Sequence, residues 1–287
     1  MITIEIPRIT QGIPYILSNF PSGESYIKIS PEDIKGHTAA SIFFRYQGDS
    51  SLLHLLHATD ALRRLGIIQV DLIIPYFPGA RGDRVEEEQL GEALSAKVYA
   101  QLINAQDYNK VTIFDPHSNV VSALLDRVHV VTNKEFVHEV LQNLIHGEIA
   151  QNNLILVAPD AGSSKKVKKI AEAEGLLMVQ AEKARDLQTG KLIPHSCLIA
   201  TDGVELTNKW AVIVDDICSR GGTFTAIAKK LKALGVERVY LIVSHYEWTA
   251  DEKVLAAAGI TKVITTDSRQ SKQTPMINTC TITKYVS

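Results

Sequence analysis

The sequence lacks the features that would place it in a specialised class of protein. Among its 287 residues, no apolar run is long enough to span a bilayer, and the N-terminus has no basic region followed by an apolar stretch. The formal net charge of −2 gives no general basic field, so we expect neither nucleic acid nor a membrane as a partner. Three cysteines, Cys197, Cys218 and Cys280, are scattered without metal-binding spacing. That usage fits a reducing cytoplasm, so we expect a cytoplasmic globular protein.

What the sequence does contain is an alternation of strand and helix patterns over its whole length. Apolar runs typical of strands occur near residues 41–46, 69–74 and 110–114, and again near 154–158, 177–179, 210–214, 238–244 and 262–265. Amphipathic segments separate most of them, and this order predicts parallel sheets flanked by helices, an α/β fold. The pattern divides into two similar halves, predicted as residues 1–143 and 144–287.

The chain is organised around residues 212–226. A β-branched apolar run ends at Asp215 and Asp216, and a Gly221-Gly222-Thr223 turn leads to a helix expected from Thr225. Backbone N–H groups at such a helix start favour an anion, so the turn predicts a phosphate site. The aspartates, at the carboxyl end of a strand, are suited to hold ribose hydroxyls directly or through Mg²⁺. The alternatives are a turn that merely closes a βα unit and aspartates that serve as solvated helix caps.

Four other segments carry polar residues at or beyond strand ends. Residues 75–84 combine prolines, glycines and two arginines, which suits polyphosphate binding, although a solvated turn has the same composition. Asp115 and His117 are two positions apart, so on an extended strand both side chains would face one side. A lone histidine there is more often structural than a ligand. Asp160 precedes a helix start that would face an anion, and residues 182–185 alone predict only a charged turn.

These segments resemble those of one family. Residues 215–223 are similar to the phosphoribosyl-pyrophosphate loop of type I phosphoribosyltransferases and ribose-phosphate pyrophosphokinases, with Ser219-Arg220 where the family usually has Asp-Thr. Residues 75–84 resemble the Pro-Tyr-x-x-Tyr-Ala-Arg-Gln-Asp-Arg segment of the pyrophosphokinases, with Gly79 and Gly82 in place of Tyr and Gln. Further similarities run in family order from Phe20 to His245. A plain phosphoribosyltransferase would have no reason to carry the set outside residues 215–223.

The resemblance implies two type I phosphoribosyltransferase-like domains, an ATP-contacting loop in the first and a ribose-phosphate loop in the second. It implies ATP-binding residues Glu24, Arg81, Asp83, Arg84 and His117, Mg²⁺ sites at His117 and Asp160, and charge stabilisation during transfer by Lys183 and Arg185. The ribose-phosphate residues would be Asp215, Asp216, Ser219, Arg220, Gly221, Gly222 and Thr223. It also implies small-molecule substrates, ATP as diphosphate donor, Mg²⁺ as cofactor, and a homo-oligomer, either a dimer or a hexamer.

The identity of the acceptor stays open at this point. The resemblance implies that the anomeric hydroxyl of ribose 5-phosphate attacks the β-phosphorus of Mg·ATP and that AMP leaves. Arg220 stands where the family encloses a compact phosphate monoester, and its planar fork suits a second phosphate. The alternative acceptor is therefore ADP-ribose, with ADP-ribose pyrophosphate as an intermediate for rebuilding NAD⁺. A third alternative is a catalytically silent homologue that binds nucleotides and regulates a partner.

Overall fold

The computed structural model describes residues 1–6, 12–85, 91–185, 192–201 and 203–286. The chain divides into two compact units, Met1–Thr132 with Val286–Ser287, and Asn133–Tyr285. The predicted boundary at residues 143 and 144 falls inside helix Lys134–Gly147, which lies wholly within the second unit. No helix within the described ranges is both long and apolar enough to cross a membrane.

The first unit is built on a five-stranded sheet in the order β1-β4-β5-β6-β7. Strand β1 is antiparallel to β4, and the other neighbours are parallel. Strands β2 and β3 form a separate antiparallel hairpin. The strands are β1 (Ile2–Glu5), β2 (Tyr15–Asn19), β3 (Ser25–Ile29), β4 (Ala39–Phe44), β5 (Gln69–Ile74), β6 (Lys110–Phe114) and β7 (Val128–Val131). The helices are α1 (Asp49–Arg64), α2 (Ser95–Asn104) and α3 (Asn119–Leu124), with a 3₁₀ turn at Pro31–Ile34.

Helix α1 shows why the first unit folds as it does. It carries Leu52, Leu55, Ala58 and Leu62 at helical spacing, and all four are buried with the strands of the sheet in one apolar core. Full burial of each leucine contributes about 1.5–3 kcal/mol. The periodicity therefore fixes both the helix and the face that it turns to the core.

The second unit contains a seven-stranded sheet in the order β10-β9-β8-β11-β12-β13-β14. Only the β9–β10 pair is antiparallel among the described neighbours. The strands are β8 (Leu154–Ala158), β9 (Leu177–Arg185), β10 (Leu192–Ala200), β11 (Trp210–Cys218), β12 (Arg238–Tyr246), β13 (Ile260–Thr266) and β14 (Ile277–Cys280). The helices are α4 (Lys134–Gly147), α5 (Ala161–Glu174), α6 (Gly222–Ala233) and α7 (Glu252–Ala257), with a 3₁₀ turn at Gln151–Asn153, and α8 (Thr283–Val286) belongs to this unit up to Tyr285.

Strand β11 lies between β8 and β12 near the middle of this sheet. Its first five residues are all buried, as a continuous apolar run requires when both faces of a parallel sheet are covered. The predicted α/β class, with mainly parallel sheets flanked by helices, is confirmed.

Two boundaries differ from the sequence prediction. Helix α6 begins at Gly222 rather than Thr225, because Thr225 N–H already donates to Gly221 O at 2.9 Å. Residues 182–185, which alone predict a charged turn, belong to β9, because β10 pairs with this stretch and extends the ladder, with Lys183 opposite Cys197. The second correction comes from strand pairing, which a local pattern does not contain.

Candidate functional site

The loop between β11 and α6 carries the residues that the sequence predicts to bind a phosphate. Gly221 caps α6 in the left-handed conformation, with φ of 76°, and a Cβ there would lie 2.8 Å from Leu255 Cδ2. Only glycine meets both requirements without strain. The first N–H groups of α6 lack partners within the helix, and the aligned peptide dipoles favour negative charge there. Gly222 and Thr223 are exposed at this end, so an anion can reach it.

Two adjacent carboxylates precede that loop. Asp216 is buried at 7% exposure, whereas Asp215 is partly exposed, and Asp216 N–H donates to Asp215 Oδ1 at 3.0 Å. Burial raises the pKa of Asp215 well above its usual range, and the neighbouring charge of Asp216 raises that pKa further. The surrounding protein therefore disfavours a second negative charge beside Asp216 unless a ligand compensates it. A pair of this kind favours hydroxyl donors or a cation as its ligand.

Lys166 is a residue of this site that the sequence prediction missed. Its positive charge lowers the pKa of Asp215 and partly opposes the effect of burial. Lys166 lies on α5, the helix that follows β8, and β8 pairs with β11. The available signal was a lysine in the second turn of the helix that follows Asp160. No local pattern identifies β11 as the strand that lies beside β8, so the approach of Lys166 to Asp215 could not be predicted.

Asp160 lies at the carboxyl end of β8, the same edge of the sheet as Asp215. It caps α5: its Oδ1 accepts from Ser163 N–H at 2.9 Å, and the Ser163 side chain interacts in return with the Asp160 backbone. Ser163 is thus part of a capping box with Asp160. One carboxylate oxygen of Asp160 is engaged structurally, and a role in metal binding stays a prediction.

Lys183 and Arg185 lie on β9, next to β8. Ala158, the last residue of β8, pairs with Gln180, so the backbone of both basic residues continues beyond β8 at its carboxyl edge. This is the edge that carries Asp160 and, on β11, Asp215. The side chains of Lys183 and Arg185 lie outside the part of the chain that the structure describes, and their catalytic role stays a prediction.

Most of the residues predicted to bind ATP lie in the first unit, in the loops that follow two neighbouring parallel strands, β5 and β6. In the loop after β5, Pro75, Phe77, Pro78 and Ala80 are buried, whereas Arg81 and Arg84 are exposed. Asp83 is partly buried. The buried side chains anchor the loop, and the two guanidinium groups are displayed to solvent.

His117 follows β6, but not on an extended strand. The strand ends at Phe114, and Asp115 has φ of 41°, with its N–H donating to Val131 O at 2.8 Å. Asp115 is buried at 4% exposure whereas His117 is exposed. The prediction that both side chains face one side of a strand was therefore wrong, because the left-handed residue turns the chain.

Glu24 lies apart from those two loops, in the turn of the β2–β3 hairpin. It is exposed, it accepts a hydrogen bond from Ser22 Oγ, and this bond lowers the pKa of Glu24. Glu24 also lines a cavity of about 400 Å³ together with residues of the hairpin and of α1 that include His54 and His57. The predicted contact of Glu24 with ATP is not tested by this placement.

The donor groups of the second unit fit Mg²⁺, which prefers carboxylate oxygens. Asp160, Asp215 and Asp216 lie at the carboxyl ends of adjacent strands, and the pKa of Asp215 is raised by burial and then by the charge of Asp216, both of which a bound cation would oppose. Within the described ranges, no group of three or more histidine, cysteine or acidic side chains is arranged to hold a metal ion by itself. Substrate oxygens would have to complete such a site.

Two family models match the chain. The model described as the N-terminal domain of ribose phosphate pyrophosphokinase matches residues 10–106, and the phosphoribosyl transferase domain matches residues 133–275. The first match falls inside the first compact unit, and the second begins where the second unit begins.

Individual relatives agree with these matches. A ribose-phosphate pyrophosphokinase of Aeropyrum pernix is 29% identical over 263 residues, 90% of this chain and 81% of that protein. One from Pyrococcus abyssi is 28% identical over 242 residues, 84% of this chain and 79% of that protein. The crystal structure of phosphoribosylpyrophosphate synthetase from Mycobacterium smegmatis has the same fold, with a TM-score of 0.77, 20% identity, and coverage of 95% of this chain and 87% of that one. The two matched domains follow each other along the chain in the same order as the two compact units. The chain belongs to the ribose-phosphate pyrophosphokinase family of transferases.

Proposed function

We propose that this enzyme moves the β,γ-diphosphate of Mg·ATP to the anomeric hydroxyl of a 5-phosphorylated ribose and releases AMP. With ribose 5-phosphate the product is phosphoribosyl pyrophosphate. The observation that carries the proposal is the β11–α6 loop, where two adjacent carboxylates precede a glycine-capped helix N-terminus. The names of the curated relatives support the same reaction.

The acceptor would bind with its 5-phosphate at the start of α6 and its ribose against the carboxylates. Residues 219–223 would surround the phosphate with backbone N–H groups and with the hydroxyls of Ser219 and Thr223. Asp215 and Asp216 would accept hydrogen bonds from the ribose hydroxyls. These bonds fix the sugar, so the anomeric oxygen is held in one position for attack.

Transfer itself needs alignment and charge neutralisation more than a covalent nucleophile. The anomeric oxygen forms a bond to the β-phosphorus as its proton passes to solvent, the bond from that phosphorus to the oxygen of AMP breaks, and AMP leaves with the electron pair. Arg81, Arg84, Lys183 and Arg185 would supply positive charge. Asp83 and Glu24 would assist in binding ATP. Mg²⁺ held at His117 and Mg²⁺ held at Asp160 would each supply further charge neutralisation on the phosphates.

The direct test offers Mg·ATP with ribose 5-phosphate and with ADP-ribose in separate reactions, and follows AMP release and product mass. AMP together with a pyrophosphorylated product is expected with at least one acceptor. Absence of AMP with both would refute the proposal and favour a silent nucleotide-binding homologue.

ADP-ribose is the second candidate acceptor, and the exposure of Arg220 favours it. The side chain is exposed immediately before the Gly221 cap, so it can reach a phosphate that extends outward from the 5-phosphate. A hydrogen-bonded charge contact of this kind contributes about 1.5–3 kcal/mol, or roughly a 10- to 150-fold preference. The product would be ADP-ribose pyrophosphate, consistent with a role in rebuilding NAD⁺.

Arg220→Thr tests this selection. We expect kcat/KM for ADP-ribose to fall by about 10-fold or more relative to ribose 5-phosphate. Lys229→Thr, which removes an exposed positive charge from α6 away from its N-terminus, is the matched control and should leave the preference unchanged. An unchanged preference in Arg220→Thr would exclude Arg220 as the selector.

A further inference from the structure

Three side chains of the first unit, Tyr46, Asp49 and Tyr99, form a hydrogen-bonded group that we call the tyrosine brace. Asp49 Oδ1 accepts from Tyr46 Oη at 2.7 Å and also from Tyr99 Oη. The two hydroxyl oxygens lie 3.3 Å apart, and the rings are edge-to-face with centroids 6.1 Å apart. The brace thus joins the start of α1 to the middle of α2.

The brace also contacts the loop that displays Arg81 and Arg84. The ring of Tyr46 stacks on Tyr76, with centroids 6.3 Å apart and planes 26° apart. Gly79 lies against the ring of Tyr99 so closely that a Cβ there would be 2.6 Å from Tyr99 Cδ2. The loop is therefore held at two points, on either side of two buried residues.

Backbone hydrogen bonds continue the anchoring from the brace toward the arginines. Gly82 N–H donates to Gly79 O at 2.9 Å, which closes a tight turn around Arg81. Ala96 N–H, at the start of α2, donates to Gly82 O at 3.0 Å. A Cβ on Gly82 would lie 3.0 Å from Ser95 Cβ, so the turn sits directly on α2. The position of Arg81 consequently depends on how this turn is held against α2 and Tyr99.

The protonation states suit a stable brace. The hydrogen bonds from Tyr99 and Tyr46 lower the pKa of Asp49, so it accepts as a carboxylate. Burial raises the pKa of both tyrosines, and they donate as neutral hydroxyls. One anionic acceptor with two neutral donors is a charge-assisted arrangement.

We propose that the tyrosine brace is a positioning device for the donor nucleotide: it holds residues 76–84 so that Arg81 and Arg84 meet the phosphates of ATP. This inference rests on the proposed function. None of the three side chains needs to touch ATP, because they act through Tyr76 and Gly79. Loss of the brace therefore affects ATP binding rather than acceptor binding.

The kinetic test is Tyr99→Phe, which removes the hydroxyl and keeps the ring against Gly79. We expect KM for ATP to rise about three- to tenfold, the effect of one net hydrogen bond, while kcat at saturating ATP and KM for the acceptor change less than twofold. Tyr46→Phe should act in the same direction, and the double variant should show less than the sum, because both hydroxyls share Asp49. Tyr108→Phe is the control: its hydroxyl bonds Thr59 Oγ1 in the core. It should leave KM for ATP unchanged.

A second readout does not depend on catalysis. Hydrogen exchange at the amides of Gly82 and Ala96 should accelerate several-fold in Tyr99→Phe and not in Tyr108→Phe. Gly79→Ala should accelerate it as well, whereas Gly66→Ala, which has the same left-handed strain but no heavy atom within 4 Å of its Cβ among the described residues, should not. Unchanged exchange and unchanged KM for ATP in Tyr99→Phe would overturn the brace. If the wild-type protein releases no AMP but the variants show the expected exchange pattern, the proposed function is refuted and the brace is retained as an anchor of the loop.

Discussion

Replacing Gly221 by alanine is the most direct perturbation of the phosphate loop. Gly221 has φ of 76°, where a Cβ costs about 1–2 kcal/mol. The new Cβ would also lie 2.8 Å from Leu255 Cδ2 and 3.4 Å from Ala250 Cβ. Relief of such overpacking costs about 1–3 kcal/mol. We therefore expect Gly221→Ala to lower the free energy of unfolding by roughly 2–5 kcal/mol, which lowers Tm by about 4–20 °C for a unit of this size.

The assay combines thermal unfolding with steady-state kinetics. Gly203→Ala is the matched control, because Gly203 has φ of 84° and nothing within the described part of the chain lies within 4 Å of its Cβ. It should show the conformational cost alone, about 1–2 kcal/mol. Repeating Gly221→Ala in a Leu255→Val background should recover part of the difference, since the shorter side chain leaves room for the methyl group. KM for the acceptor should rise in Gly221→Ala, because the start of α6 moves, and KM for ATP should not.

Equal losses of stability in Gly221→Ala and Gly203→Ala would refute the assigned contact with Leu255. A normal KM for the acceptor in a destabilised Gly221→Ala would refute the phosphate site at the start of α6. The two conclusions can therefore fail separately.

Two further predictions concern the acidic residues of the second unit. Asp160→Ala should lower the free energy of unfolding by about 0.5–2 kcal/mol, because the cap of α5 is lost. Asp160→Asn should keep the cap and the Tm but raise the Mg²⁺ concentration that gives half-maximal turnover. Equal Mg²⁺ titrations for wild type and Asp160→Asn would limit Asp160 to capping. Asp215 has a raised pKa in the folded state, so its contribution to stability is present below its usual pKa and is lost as pH rises through the raised value. The gain in Tm of Asp215→Asn over wild type should accordingly grow from pH 4 to pH 8, and a gain that shrinks over this range would contradict the assigned direction.

The sequence by itself determined the class of fold and the positions of most of the loops that carry predicted site residues. Alternating apolar runs and amphipathic segments depend on local periodicity, so β11, α1 and the alternation of strands and helices could be predicted along the chain, whereas β7, β10 and β14 were not. The loop at Asp215 and Asp216 could also be predicted, because a polar turn that follows a buried strand lies at the carboxyl edge of its sheet wherever that sheet forms.

Only the tertiary structure decided which of these residues meet. The extension of β9 through Arg185 depends on pairing with β10, and the influence of Lys166 on Asp215 depends on β8 lying beside β11. The tyrosine brace joins Tyr46 to Tyr99 across 53 positions of sequence, and neither residue belongs to a recognisable motif. Local patterns set the elements because they follow from the bonding of neighbouring residues. Contacts between distant residues follow from strand order and helix packing, which the whole chain settles together.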